Sequence, residues 1–357
     1  MLHDDTEFSD VIVLRKAAEP FIWFPAIRTG SGADVFTERL VGVLIERGIQ
    51  AEISWLPHRA EFLPWSVDRP KVPVGANLVQ VNSWLHNRFI PPELPVVATM
   101  LHCALDPALR PYKTYPQSIY HRFWVQSLEK RALARAHIVV AISRYTERST
   151  HEIYGTTGAE VIPIGIDLEA FTPLWRPVPH RPFRLLYVGN WTARKGADLL
   201  VPIMKALGPD FELQVLAGLR GKELPVLAEN IRQIQRVQDG DAMVSLYRKC
   251  DALLFPSRLE GFGMVALEAQ ACGLPVIASN SSALPEVVKN RETGFLCRQN
   301  CIEDFVSAAR LLAASSERWR AMGLAARAHA EAHFAERTMA DRYYSIYQSV
   351  LNPSGQT

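Results

Sequence analysis

The chain has 357 residues, more than one hydrophobic core usually serves, so two domains are expected. With 48% hydrophobic and 21% charged residues it is neither a disordered nor a fibrous chain. Its 39 basic and 37 acidic side chains give a formal charge of +2, too balanced for a surface-wide polyanion footprint, which sets nucleic acid aside as the partner.

The N-terminus reads Met1-Leu2-His3-Asp4-Asp5 and lacks the basic-then-apolar order of a secretory leader. No apolar run approaches the ~18 residues of a membrane span. A cytoplasmic protein is the expectation, resting at most on the inner face of a membrane. Short apolar runs then alternate with stretches of helical spacing, the pattern of a parallel sheet with crossover helices. In the first half this predicts strands at 21–27, 51–56, 78–81, 95–101 and 137–142. A stretch holding Pro173, Pro177, Pro179 and Pro182 follows, whose fixed φ and missing donors disfavour regular structure, so it is taken as the linker. The pattern restarts with strands at 185–188, 212–217, 252–255 and 276–278 and a helix at 197–207. From Ile302 onward the chain reads as helical. Its last segment, 335–351, places Met339, Tyr343, Ile346, Tyr347 and Val350 on one stripe that needs a surface to pack on. The expected domains are 1–168, 169–334 and a closing helix in 335–357, in the α/β class with two doubly wound sheets.

Cys103, Cys250, Cys272, Cys297 and Cys301 lack CxxC spacing and a nearby histidine pair, so they read as reduced, mostly buried thiols and no metal site is expected.

The most informative segment is Phe255-Pro256-Ser257-Arg258-Leu259-Glu260-Gly261-Phe262-Gly263-Met264, a strand leading through a glycine turn into a helix that contains Glu268. The first amides of a helix have no intrahelical acceptors and carry the positive end of the dipole, so a diphosphate can bind there. Gly261 and Gly263 let the backbone come close to a ligand. Carboxylates beside a phosphate suit the hydroxyls of a polyol. Glycoside hydrolysis needs two carboxyls roughly 5 to 9.5 Å apart, whereas eight helical residues between Glu260 and Glu268 rise about 12 Å. Taken alone, Glu268 reads equally well as a solvated helix residue.

With the following Ala271-Cys272-Gly273-Leu274-Pro275-Val276-Ile277-Ala278-Ser279, this block resembles the donor-site signature of the retaining glycosyltransferases of the GT-B fold, glycosyl transferases group 1, family four. The resemblance covers nearly the whole chain. It implies two Rossmann-like domains across a cleft and transfer of a hexose, mannosyl or glucosyl, from a UDP- or GDP-sugar to a glycan or lipid-linked hydroxyl in polysaccharide or glycolipid synthesis. It implies no metal and no cofactor beyond the nucleotide sugar. On it, Glu260 would hold the sugar hydroxyls, Glu268 the ribose, and Phe262, Gly263 and Met264 the donor.

Gly189-Asn190-Trp191-Thr192-Ala193-Arg194-Lys195-Gly196 resembles the family's second phosphate element, which assigns Lys195 to the diphosphate. The family's arginine after Gly189 is Asn190 here, so that cation is either missing or supplied by Arg194. Without the resemblance Lys195 would read as an exposed loop residue. Gly30-Ser31-Gly32 resembles the family's glycine loop, which faces the donor phosphates. It lacks the third glycine of a dinucleotide fingerprint, which disfavours a nicotinamide-dependent dehydrogenase. His102 ends a predicted strand, where parallel sheets line ligand crevices, and matches the family's strand-end histidine near the reacting centre. Ala141-Ile142-Ser143-Arg144 and Ile162-Pro163-Ile164-Gly165-Ile166-Asp167 also resemble the family, with Ile164 in place of an asparagine. These departures keep open a catalytically silent nucleotide-sugar-binding subunit.

Tyr112, Lys113, Tyr115, Tyr120, Arg122, Phe123 and Trp124 form an aromatic and basic stretch on the implied acceptor side. It reads either as a contact with anionic lipid or a lipid-linked glycan, or as an amphipathic helix packed on its own sheet with its cations outward.

Overall fold

The computed structural model describes residues 19–217, 228–234, 237 and 240–353; the segment read for a leader, residues 1–5, lies outside them. Two sheets divide the chain, each of six parallel strands. The first contains β1 (Phe21–Ile27), β2 (Gln50–Leu56), β3 (Leu78–Asn82), β4 (Val96–Met100), β5 (Ile138–Ala141) and β6 (Glu160–Val161), in the order β2-β1-β3-β4-β5-β6. The second contains β7 (Phe183–Gly189), β8 (Phe211–Ala217), β9 (Ile231–Gln233), β10 (Ala252–Phe255), β11 (Val276–Ser279) and β12 (Gly294–Cys297), in the order β12-β11-β10-β7-β8-β9. Strands β6, β9 and β12 are additions to the sequence reading. They have two, three and four residues, and each ends a sheet, where one neighbour suffices and no long apolar run is required.

The winding of each sheet decides where a ligand can enter. In the second sheet the chain passes from β7 outward to β9, then returns to β10 on the other side of β7, with Leu185 and Leu186 facing Ala252 and Leu253. At such a reversal the loops after the two central strands diverge and leave a crevice at their carboxyl ends. Those loops carry Lys195 and Glu260. The first sheet reverses between β1 and β3, which opens the Gly30 loop and Trp84 toward the same side.

The last helix, Glu336–Leu351, packs on the first sheet's lobe. Met339, Tyr343, Ile346 and Tyr347 are buried, Tyr343 lies 6.4 Å from Phe36 between ring centres, and Tyr347 donates its hydroxyl to Gln80 of β3. The amphipathic stripe therefore finds its surface on the lobe most distant in sequence. Both partners of the Tyr347–Gln80 bond are buried, so Tyr347→Phe strands an acceptor. We expect a loss of about 1–3 kcal/mol, read as a lower denaturant midpoint at unchanged slope; an unchanged midpoint would mean the apolar stripe alone secures the helix.

Beside the cleft, helix Gln126–Arg135 carries Glu129, 1% exposed, with Tyr154 of helix Arg144–Tyr154 donating to it. Burial pushes its carboxyl from 4.5 up to about 7, with the Tyr154 bond and Lys113 pulling the other way. A folded value above the unfolded one contributes stability below pH 4.5 that is lost as pH rises through 7. Glu129→Gln should therefore gain on the wild type between pH 5 and pH 8, by on the order of 3 kcal/mol at most. Parallel melting curves at both pH values would contradict the buried charge.

Candidate active site

The loop that leaves β10 folds back on itself before its helix starts. Ser257 donates to Glu260 at 2.6 Å, and the Glu260 amide donates to Ser282 at 2.9 Å. Gly263, at φ +110°, begins helix Met264–Ala271, whose residues from Ala266 onward are buried. Among the described residues, no protein acceptor is found for the amides of Gly261 through Val265. Five successive donors at a helix start make a concave, partly positive surface.

The loop leaving β7 supplies the countercharge. Thr192 caps the turn Ala193–Lys195, and Gly196 follows at φ +71°, where an added Cβ would sit 2.0 Å from the Pro256 carbonyl oxygen. Glycine alone lets the two loops press backbone to backbone. Lys195 then reaches Glu260 at 2.6 Å, with their side chains only 16% and 11% exposed. Burial opposes the Glu260 charge, but Lys195 and then Arg194 outweigh it and hold the carboxyl below its usual range. Burial lowers the Lys195 ammonium from its usual range while Glu260 pulls the other way, and the ammonium lies 5.6 Å from the Phe255 ring centre. Arg194 donates to the Leu259 carbonyl at 2.9 Å, and Arg258 pairs in a fork with Asp198 at 2.6 and 2.7 Å.

Opposite lies the first lobe. His102, just after β4, remains open to the cleft while Trp84 stands 6.4 Å away between ring centres. Desolvation by the surrounding walls, then Arg194, lowers the imidazole to about 4, so it is neutral near pH 7. Gly32 faces Met264, whose sulfur would be 3.8 Å from an added Cβ. The amides of Thr29 and Gly30 do not face outward: both donate to the buried Asp34 carboxylate, at 3.0 and 2.7 Å.

A cleft of about 720 Å³ is lined by His102, Arg194, Lys195, Glu260, Gly261, Phe262, Gly263, Met264 and Gly32, which brings together residues separated by up to 232 positions along the chain. Gly30, Gly189 and Glu268 are not among its lining residues. Glu268 lies behind the loop, where Arg39 reaches it at 3.3 Å and Tyr247 donates at 2.9 Å. Arg39 also donates to the Gly165 carbonyl at 3.2 Å, so one side chain holds both the second lobe and the segment that precedes the linker. Gly261 departs from expectation too. Its missing side chain makes room for the protein's own first lobe, since an added Cβ would be 2.0 Å from the Leu101 carbonyl oxygen. Asn190 lines the cleft and its carbonyl accepts from Tyr187 at 3.0 Å.

The aromatic and basic stretch splits between two directions. Tyr112, Lys113, Tyr120 and His121 line the cleft with Glu61, Gln117 and Glu129, whereas Tyr115 and Phe123 are 80% and 75% exposed on the outside. A π-helical turn at His121–Val125 joins helix Tyr115–Tyr120 to helix Gln126–Arg135. Asp34, Arg39, Tyr247, Glu61 and Trp84 had no signal in the sequence; for Arg39 and Tyr247 the reason is a partner, Glu268, distant along the chain.

Residues 176–329 match the family model described as glycosyl transferases group 1. The D-inositol 3-phosphate glycosyltransferase of Arthrobacter sp. (strain FB24) is 31% identical over 211 residues, covering 54% of this chain and 50% of that protein. A GDP-mannose-dependent monoacylated alpha-(1-6)-phosphatidylinositol monomannoside mannosyltransferase of Corynebacterium glutamicum is 31% identical over 250 residues, covering 63% of this chain and 65% of that protein. The chain thus spans about half to two thirds of the length of the curated relatives it matches. Among solved structures, sucrose-phosphate synthase from Thermosynechococcus elongatus superposes with a TM-score of 0.77 at 18% identity, covering 94% of this chain and 100% of that one. Residues 176–329 thus match the glycosyl transferases group 1, and the paired parallel sheets with the cleft between them give the whole chain the GT-B fold.

Proposed function

We propose that the cleft transfers a hexosyl unit from a nucleoside diphosphate sugar to an acceptor hydroxyl. The observation that carries this reading is the row of amides at Gly261 to Val265, without a protein acceptor among the described residues, lining one cleft with Lys195 and Arg194. That arrangement suits a diphosphate leaving group: its growing negative charge meets donors already in place, so no reorganisation is needed at the moment of bond breaking. Glu260, kept ionised by Lys195, is the acceptor for sugar hydroxyls. Glu268, steadied by Arg39 and Tyr247, is read as the ribose contact. His102 is neutral near pH 7 and fits a hydrogen-bonding role at the donor sugar. In this reading the charge is carried by side chains and amides, with no metal assigned a part.

Retention of configuration belongs to the same proposal. Glu260 is committed to Lys195 and Ser257, so a front-face route through an oxocarbenium-like state is favoured over a glycosyl-enzyme intermediate. Enclosure between the lobes would favour the acceptor over water. The GDP-mannose-dependent relative supports a nucleotide-sugar donor, and the phosphatidylinositol mannoside in its name supports a lipid-linked acceptor. Outward-facing Tyr115, Ile119 and Phe123, with exposed Phe62, Leu63 and Trp65 nearby in the same lobe, favour work at a membrane surface, although no described helix is long and apolar enough to cross one.

The test is kinetic. A screen of UDP- and GDP-sugars identifies a donor, after which Lys195→Ala, Glu260→Gln and Glu268→Ala are compared with melting curves as controls. Lys195→Ala should lower kcat by about 10²–10³-fold. Glu268→Ala should mainly weaken nucleotide binding, by about tenfold. Tight nucleotide binding with neither transfer nor slow hydrolysis for any donor would instead identify a silent binding subunit, and wild-type kinetics in all three variants would remove the site.

A further inference from the structure

The carbonyl of Gly261 does not face the second lobe that carries it. It points across the interface, where it accepts from the hydroxyl of Ser143 at 2.6 Å and that of Thr146 at 3.0 Å, both at the start of helix Arg144–Tyr154 in the first lobe. Both hydroxyl residues are 1% exposed. A second strut runs beside it: Glu286, from the short helix Leu284–Val287 of the second lobe, accepts from the amides of Arg144 and Tyr145, each at 2.8 Å. The carboxylate sits at the positive end of that helix, where its charge is favoured. Third, Gly261 is packed so closely on Leu101 that no side chain fits between them.

We infer that Ser143 and Thr146, steadied by Glu286, are positioning residues that aim the Phe262 amide at the donor diphosphate; this rests on the reading of the cleft given above. A peptide group is planar and trans, so the Gly261 carbonyl and the Phe262 N–H point in opposite directions from one rigid unit. Two hydroxyls that hold the oxygen toward the first lobe thereby hold the hydrogen away from it. That hydrogen has no protein acceptor among the described residues, and Phe262 lines the cleft. Backbone donors act on a developing charge only if their direction is set beforehand. Neither hydroxyl residue touches the cleft itself: Ser143 and Thr146 are absent from its lining. Their influence runs through the peptide plane. Because the two hydroxyls belong to one lobe and the amide to the other, the anion site is complete only when the lobes are docked.

The geometry yields a discriminating experiment, since the aimed amide serves the diphosphate and not the nucleoside. Thr146→Val preserves shape and leaves the Ser143 helix cap in place while removing one hydroxyl donor. Thr146→Ser retains the hydroxyl. Glu286→Ala releases the second strut without altering either hydroxyl. Affinities of UDP, GDP, UMP and GMP are measured by calorimetry on the full chain, with melting temperatures recorded alongside. We expect Thr146→Val and Glu286→Ala to weaken the diphosphate that the wild type prefers by about tenfold, with the monophosphate changed by less than about twofold, and Thr146→Ser to match the wild type. Equal weakening of mono- and diphosphate, or no weakening in either variant, overturns the positioning role. If Thr146→Val fails to fold, the Glu286→Ala ratio decides alone. A wild type that binds neither diphosphate sinks the reading of the cleft itself, a different failure from one in which the wild type binds and the variants bind equally well.

Discussion

The buried pairing of Lys195 with Glu260 is the constraint around which the cleft is organised. Two charges drawn out of water cost several kcal/mol each unless each is paired and its remaining hydrogen-bonding capacity satisfied. Here the carboxylate also accepts from Ser257, and the loop backbones on either side are pressed together at Gly196. Such closeness is available only at the reversal of the second sheet, where β7 and β10 are neighbours although 62 residues separate Gly189 from Ala252 and their loops. Sheet topology thus does the first half of the chemistry by bringing a cation and an anion from distant segments to one edge.

The electrostatic character of the cleft follows from what has already been neutralised. Glu260 is matched by Lys195, Glu268 by Arg39, Asp34 by the Thr29 and Gly30 amides, and Glu286 by the amides of Arg144 and Tyr145. Each of these four carboxylates is held by a partner within the protein. The amides of Gly261 to Val265 have no protein acceptor among the described residues, and Arg194 lies against the same cleft. A surface whose carboxylates are held by partners and whose amide donors remain open suits an anionic ligand rich in acceptor oxygens, while the fixed carboxylates can still accept hydrogen bonds from sugar hydroxyls. One ligand class has both parts.

The sequence made the larger elements legible because a buried parallel strand must be continuously apolar: β1, β10 and the helix Ala197–Leu207 fall within a residue or two of where the pattern places them. Strand β6 escaped because two residues cannot carry a pattern. The donor block was legible for a different reason, since its glycines and carboxylates are adjacent in the chain. What stayed hidden were the pairings that cross the interface. Nothing in the spacing of helix Gly32–Glu46 marks Arg39 as the partner of a carboxylate 229 residues away, and Ser143 was visible only as part of a resemblance with no role attached. The same limit explains Gly261. A glycine in a turn announces close approach, but not whether a ligand or a neighbouring backbone does the approaching.

That last ambiguity bears on how the two lobes work together. A hinged pair of domains could bind a nucleotide on one lobe and add the other afterwards, with the second lobe contributing only the acceptor. The contacts argue for tighter dependence: Arg39 steadies Glu268 from the first lobe, Ser143 and Thr146 hold Gly261, and the final helix returns to pack on the lobe that began the chain. The residues that resemble a donor site lie in the second lobe, yet the first lobe orients several of them. Separation of the lobes would release the Gly261 carbonyl and the Glu268 carboxylate to water at the same time, so the features suited to a diphosphate and to a ribose would weaken as one. Docking of the lobes and completion of the proposed donor pocket are, on these contacts, the same event.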